Sequence, residues 1–317
     1  MNGEVIHVAA AVIRNNRGEI LIAKRPDDKH QGGLWEFPGG KVEQGEMAEQ
    51  ALQRELYEEV GITVTGCQPL IKIHHDYPDK SVLLDVWLVE HFTGDAHGRE
   101  GQPVRWVSPD DITDYTFPEA NIPIMKACRL PDCYMITPEP APDALDDFML
   151  RLDKALQSGI RLVQLRTKKL DADTWHAHAQ AVIKLCSRYD ALCILNASVE
   201  DALALGAHGV HLNSQRLFDY TKRPVDEDTW LVASCHNAQD LEQAARIGAD
   251  FVVLSPVKAT ASHPDAVPLG WEAFEKMVNS VTIPVYALGG MHVDHLQQAR
   301  AAGGQGIAAI RSLWPSD

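Results

Sequence analysis

Glu55, Glu58 and Glu59 stand at i, i+3 and i+4 within ALQRELYEEV, and no Pro or Gly interrupts the chain from Met47 to Val60. On a helix this spacing puts all three carboxylates on one face. Like charges grouped in this way repel one another. A hard divalent cation reverses that cost, and Mg2+ prefers oxygen ligands shared with substrate phosphates. Three glutamates alone are as readily a solvated acidic face. The residues around them argue otherwise: Gly40, Glu46, Arg54, Glu55, Leu56, Glu58, Glu59, Gly61 and Ile62 fill the spacing G-x5-E-x7-R-E-U-x-E-E-x-G-U, where U is aliphatic.

The elements that must position these groups are also readable. Good helix formers dominate Met47 to Val60, and Gly61 supplies the C-terminal stop. Ala48, Leu52, Leu56 and Val60 form a neighbouring apolar stripe that packs such a helix onto a sheet. His7–Val12 and Ile20–Ala23 are short apolar runs flanking the turn Asn15-Asn16-Arg17-Gly18, the pattern of a hairpin. LWEFPGG then puts Gly39 and Gly40 where backbone must come close to a ligand.

With this spacing, residues 1–130 resemble the Nudix hydrolases. Through WEFPGGKVEQGE, PDK, GREGQPVRW and FPEAN they resemble the MutT branch, which acts on 8-oxo-guanine nucleoside triphosphates. The resemblance implies an α/β/α sandwich that hydrolyses a nucleoside triphosphate to monophosphate and pyrophosphate with Mg2+, or Mn2+ in its place. It also implies a metal shell drawn from the Gly39 carbonyl, Glu55, Glu58, Glu59 and Glu100, with Arg54 orienting Glu55. The alternative for Arg54 is a purely structural ion pair, and for Glu100 a solvated loop charge. Glu55 is the preferred general base and Glu100 its competitor.

In that branch the Asn of F-P-x-A-N reads the base, here Asn121. Guanine shows two acceptors on its Hoogsteen edge, whereas 8-oxo-guanine shows acceptor O6 and donor N7–H. One carboxamide donates through its NH2 and accepts through its oxygen, so it satisfies the oxidised edge fully. Against ordinary guanine it leaves a buried polar group unpaired, at a cost of about 1–3 kcal/mol. The alternative for Asn121 is a turn or helix cap. Arg25 aligns with a residue near sugar and base, and Phe37 is either pocket wall or plain core. Lys80 stands where the branch commonly carries Arg, and Lys cannot make a planar bidentate contact.

Residues 131–317 read as a second domain. The runs CYMIT, RLVQLR, ALCILN, GVHLN, LVASCH, FVVLSPV, PVYALGG and GIAAIR alternate with helical stretches such as Ala144–Ser158. This predicts a small (β/α)8 TIM barrel lacking its last helix, with a doubly wound open sheet as the alternative. Together the halves give an α/β chain of two domains. Through YMITP, VQLRTK, GAHGVHL, ASCH, GADFVVLSPV and PVYALGGM the second half resembles thiamine-phosphate synthase and its TenI-type relatives.

Gln164, Arg166, Lys168, Ser234, Thr260, Gly289 and Gly290 fit that pattern, and His263 stands for the basic residue of the strand-six loop. The family's Mg2+ ligands do not fit. An Asp is expected after the strand-three Asn, but Asn196 is followed by Ala197; a second is expected beyond the strand-four His-Leu, where Asn213-Ser214-Gln215-Arg216 stands. The resemblance therefore implies a degenerate barrel. It leaves a phosphate or ligand site near Gly289-Gly290 and Arg311-Ser312, a tautomerase-like acid–base at His236, or an inert scaffold. Without an eighth helix, an apolar groove would be left for Ile122–Arg129 or a second subunit of a homodimer to cover.

The net charge of −15 divides into −8 for residues 1–130 and −7 for the rest, from 13 basic against 21 acidic and 16 against 23. Such an acidic chain disfavours polymeric nucleic acid and suits a free nucleotide held through metal. No apolar run is long enough to span a membrane and MNGEVIHV has no signal character, so a cytoplasmic enzyme is expected. The six cysteines form no C-x-x-C pair and read as reduced thiols. The competing function is a thiamine-pathway protein, with pyrophosphate hydrolysis in one half and synthase or tautomerase chemistry in the other.

Overall fold

β1 (Val5–Ile13) organises the first of two units, Met1–Arg129 and Leu130–Asp317, into which the computed structural model divides. The structure describes residues 5–27, 31–78, 80–141, 143–260 and 266–315. Along β1 the side chains alternate between two faces. Ala9, Ala11 and Ile13 join Leu52, Leu56 and Val60 of α1 (Ala48–Val60) in one apolar cluster. Ala10 and Val12 join Ile124 and Ala127 of α2 (Ile122–Arg129) in another. A helix on each side of the sheet makes this unit an α/β/α sandwich.

Its strands are β1, β2 (Ile20–Lys24), β3 (Trp35–Glu36), β4 (Gly39–Lys41), β5 (Thr63–Asp76), β6 (Ser81–Thr93) and β7 (Val104–Val107). They form two sheets, ordered β4-β1-β6-β5 and β3-β2-β7. The turn after β1 is present, with Asn15 N–H donating to Glu19 O at 3.0 Å. The expected hairpin ladder is not. Only Arg14 bridges to Ile20 before the strands part into different sheets. Turn residues specify the reversal of the chain, not the partner each strand then takes.

The second unit runs β8 (Cys133–Ile136), α3 (Leu145–Gln157), β9 (Leu162–Leu165), α4 (Ala172–Ser187), β10 (Leu192–Leu195), α5 (Val199–Ala204), β11 (Gly209–Leu212) and β12 (Trp230–Cys235). It continues with α6 (Ala238–Arg246), β13 (Phe251–Leu254), α7 (Gly270–Val278), β14 (Val285–Ala287), α8 (Leu296–Ala301) and β15 (Gly306–Ala309). The strands are parallel and β15 pairs back onto β8, closing an eight-stranded barrel. Phe251 and Val253 fill the interior with Tyr134 and Tyr286, while Val252 and Leu254 face the helices.

Two features depart from a regular barrel. Between β11 and β12 there is a single 3-10 turn, Arg216–Asp219, in place of a helix. After β15 no helix follows among the described residues, and a turn sets Trp314 against Phe148 of α3, ring centroids 4.8 Å apart. Part of the apolar surface expected to await a cover from elsewhere is thus covered by Leu313 and Trp314. All six cysteines are unpaired. Among the described residues no helix is long and apolar enough to cross a membrane.

Candidate active site and a second cavity

α1 carries the acidic ridge because its opposite side is buried: Ala51, Leu52, Leu56 and Val60 are fully enclosed, leaving Glu55, Glu58 and Glu59 toward the sheet edge. Arg54 ties the ridge to the loop before it. Its Nε and Nη2 donate to Glu46 Oε1 and Oε2 at 3.0 and 2.9 Å, a bidentate clamp, and its Nη2 also reaches Lys41 O at 3.1 Å. Nη1 donates to Glu55 Oε1 at 2.6 Å. The clamp on Glu46 holds that carboxyl below the usual carboxylate range, chiefly through the Arg54 hydrogen bonds. The same guanidinium is therefore both a structural ion pair and the group that aims Glu55.

The C-terminal end of α1 is capped by a distant loop. Gly61 takes a left-handed conformation at φ 73° and its N–H donates to Leu56 O. The last carbonyls of a helix lack partners within it. Here Arg99 N–H and Gln102 Nε2 donate to Glu59 O at 2.9 and 3.0 Å, His97 N–H to Val60 O at 3.1 Å, and Arg99 Nη1 to Tyr57 O at 2.7 Å. Gln102 Oε1 in turn accepts from Glu100 N–H at 2.9 Å. This anchoring brings Glu100 into the electrostatic field of Glu59. Burial, then the charges of Glu36, Glu55 and Glu100, push the Glu59 carboxyl up to about 8, against a lowering hydrogen bond from Gly39 N–H. That bond is 3.1 Å long.

Among the described residues, no three His, Cys, Asp or Glu side chains already converge as a metal cage. Glu55 leans on Arg54 and Glu59 on the Gly39 amide. Mg2+ itself completes most of its shell with waters and phosphates and needs only one or two carboxylates. A carboxyl that is expensive to ionise among like charges is one that a divalent cation would relieve. The donor set fits such an ion.

The expected base-reading residues each have identifiable neighbours. Asn121 ends a 3-10 turn, Glu119–Asn121, held by its N–H to Pro118 O at 2.9 Å. Its half-buried carboxamide makes no hydrogen bond among the described residues, so it does not cap α2. Phe37 is 4% exposed and stacks on Phe117 with centroids 5.3 Å apart, which makes it core. Arg25 pairs with Glu36, whose carboxyl is raised chiefly by burial. Lys80 lies over the Tyr77 ring at 5.8 Å. Tyr77 feels the charges of both Arg25 and Glu119. Glu36, Arg99 and Gln102 lie within the WEFPGGKVEQGE and GREGQPVRW segments and Tyr77 immediately before PDK, but nothing in those segments assigns them a role.

In the barrel, the eight residues expected at a ligand site do share one cavity of about 970 Å³ at the C-terminal ends of the strands: Gln164, Arg166, Lys168, Ser234, His236, Thr260, Gly289 and Gly290. His263 lies outside the described residues. In the cavity wall, buried Gln164 donates through Nε2 to Tyr134 OH at 3.1 Å and to His211 Nδ1 at 3.0 Å. With Nδ1 accepting, neutral His211 carries its proton on Nε2, 2.7 Å from Ser234 Oγ. Burial, with Arg216 nearby, lowers the His211 imidazole to about 3. His236 Nδ1 lies 2.8 Å from Ser255 O. A carbonyl only accepts, so Nδ1 is the donor in this contact.

A cation site of the thiamine-phosphate synthase kind does not fit this barrel. Ala197 is buried and its carbonyl accepts from Arg216 Nη1 at 2.8 Å, while Arg216 N–H donates to Asn213 Oδ1 at 2.8 Å. A guanidinium joins the two positions where carboxylates were expected.

A family model described as NUDIX domain matches residues 9–127, and one described as thiamine monophosphate synthase matches residues 133–313. The 8-oxo-dGTP diphosphatase of Escherichia coli K12 is 43% identical over 120 residues, 38% of this chain and 93% of its own. The CTP pyrophosphohydrolase of that organism is 40% identical over 124 residues, 39% of this chain and 91% of its own. The thiamine-phosphate synthase of Fusobacterium nucleatum is 30% identical over 190 residues, 60% of this chain and 90% of its own.

Proposed function

Since the chain belongs to the Nudix hydrolases through its first unit and to the thiamine monophosphate synthase family through its second, we propose that the first unit hydrolyses 8-oxo-dGTP, and 8-oxo-GTP with it, to the monophosphate and pyrophosphate. The observation that carries this reading is the uncommitted, half-buried carboxamide of Asn121. A donor and an acceptor on one rigid group match the oxidised Hoogsteen edge and reject the unoxidised one. Likeness to relatives does not choose the base, because the 8-oxo-dGTP and CTP enzymes are 43% and 40% identical. The cytosine edge, with a donor at N4 and an acceptor at N3, is the competitor.

Glu55, Glu58, Glu59, Glu100 and the Gly39 carbonyl would hold Mg2+ or Mn2+. When bound, such an ion neutralises the triphosphate and makes water more acidic. The chain's own part is positional. The Arg54 clamp fixes Glu55, which takes the proton of the attacking water, with Glu100 the competing base on the loop anchored to α1. Arg25 and Lys80 supply positive charge beside the base pocket, and Tyr77 an aromatic face. Clearing the oxidised nucleotide from the pool would keep it from being incorporated opposite adenine.

The thiamine-pathway alternative is weakened by the barrel, whose cation ligands are replaced by Ala197 and Arg216. The test is a substrate panel with Mg2+: 8-oxo-dGTP, dGTP, CTP and thiamine pyrophosphate. The proposal expects kcat/KM for 8-oxo-dGTP to exceed that for dGTP by orders of magnitude, up to about 10⁴-fold. Equal rates for the two guanine nucleotides, or a preference for CTP or thiamine pyrophosphate, would sink it.

A further inference from the structure

One carboxamide joins the main chains of two acidic residues at the candidate active site. Gln102 Nε2 donates to the Glu59 carbonyl at 3.0 Å, and Gln102 Oε1 accepts from Glu100 N–H at 2.9 Å. The loop around this bridge has little freedom. Gly101 takes a left-handed conformation at φ 82°, and its N–H donates to Gly98 O at 3.2 Å. A β-carbon at position 98 would overlap the Gln102 carbonyl oxygen, so only glycine fits there. On the far side Pro103 O accepts from Lys24 N–H at 2.9 Å, which fastens the loop to β2.

We infer that Gln102 is a positioning residue for the divalent cation: it fixes the Glu100 backbone against that of Glu59, so that both carboxylates meet one ion. The inference rests on the hydrolase reading of the first unit. Glu100 is exposed, and an exposed glutamate on a free loop must be ordered each time an ion binds, at a cost in backbone and side-chain entropy. The bridge removes the backbone part of that cost beforehand. Glutamine suits the task because its one amide both donates and accepts. Asparagine carries the same groups on a shorter arm and cannot span both partners. Glutamate has no donor for a carbonyl, and methionine matches the length with neither group. The field at the site agrees, since the Glu100 charge is among those that raise the Glu59 carboxyl.

Two measurements on the full chain test this without turnover. Mn2+ titration, followed through the paramagnetic resonance of the free ion, gives a dissociation constant. Gln102→Met and Gln102→Asn should each raise it by about tenfold, the scale of losing an outer-shell partner. Glu100→Gln should raise it at least as far. The double variant Glu100→Gln/Gln102→Met should bind no more weakly than Glu100→Gln alone, because Gln102 acts through Glu100. In EDTA, hydrogen–deuterium exchange at the Glu100 amide should be faster in Gln102→Met. Losses that multiply in the double variant overturn the inference, since Gln102 then only caps α1. So does unchanged exchange, or unchanged Mn2+ affinity in both Gln102 variants, and either leaves the hydrolase reading standing. An unaltered chain that binds no Mn2+ sinks that reading and this inference together.

Discussion

The carboxylate of Glu55 lies over the α-carbon of Gly40, so that a β-carbon at position 40 would overlap Glu55 Cδ and both its oxygens. Gly40 is thus required by space, not by backbone conformation. The obstructed group is the far end of a flexible side chain, so the fold can yield by moving Glu55. Gly40→Ala is expected to leave the melting temperature within a few degrees while lowering kcat/KM about 10²-fold, the scale of a misplacement near 1 Å. Circular dichroism melting beside steady-state kinetics checks this. A stable, fully active alanine variant would show that the Glu55 position is irrelevant to turnover.

Arg54 holds Glu46 with two nitrogens and Glu55 with a third. Lysine offers one point charge and cannot serve both partners. Arg54→Lys should keep the charge of the loop but release Glu55, lowering kcat by roughly 10- to 100-fold with little change in KM. If the variant melts earlier yet turns over at full rate per folded molecule, the arginine is structural only.

Glu59 gives a sign to the pH dependence of stability. Its carboxyl is raised to about 8 in the folded, metal-free chain from an ordinary value of 4.5, and Glu36 is raised as well. The folded state then binds more protons than the unfolded one between those limits. Stability contributed by the protonated carboxyl is present below about 4.5 and is lost as pH rises through about 8. Glu59→Gln should therefore match the unaltered chain in EDTA at pH 4 and melt a few degrees higher at pH 9. A melting difference that is the same at both pH values would contradict the buried, crowded carboxyl.

Much of this was legible because the signals are local. The i, i+3, i+4 carboxylates, the apolar stripe of α1 and the strand alternation of the barrel each lie within one element. The unread part is long-range. Nothing in the spacing of Arg99 and Gln102 says that they close the end of α1, some forty residues earlier. The Asn15–Gly18 turn announced a reversal but not that β1 and β2 enter different sheets. Nothing in the sequence around Trp314 points to Phe148, and only packing shows the contact.

Asn121 separates two roles that a truncation can tell apart. If the carboxamide were a cap, Asn121→Ala would destabilise α2 by about 1 kcal/mol and leave selectivity unchanged. As a base reader with no partner among the described residues, it should leave stability nearly unchanged. The 8-oxo-dGTP to dGTP ratio of kcat/KM should then fall by at least about 10²-fold, mostly through loss on the oxidised nucleotide. Competition assays with both nucleotides in one reaction read the ratio directly. An unchanged ratio would place base recognition elsewhere, with Tyr77 and Arg25 the next residues to alter.

Glu55 and Glu100 compete for the proton of the attacking water, and their settings differ. Glu55 is fixed by Arg54 at 2.6 Å on α1, whose apolar face is buried, whereas Glu100 is exposed on a loop held by Gln102. A base on a rigid element keeps its geometry through turnover, and losing general base catalysis costs about 10²–10⁴-fold. Glu55→Gln should accordingly lower kcat by at least about 10³-fold, and Glu100→Gln by about 10-fold or less. His236→Ala, in the other unit, should leave hydrolysis unchanged. Single-turnover rates across pH distinguish the two carboxylates, because only the variant lacking the base loses the acidic limb of the profile. If Glu100→Gln loses that limb while Glu55→Gln keeps it, the loop glutamate is the base and Glu55 serves the cation alone.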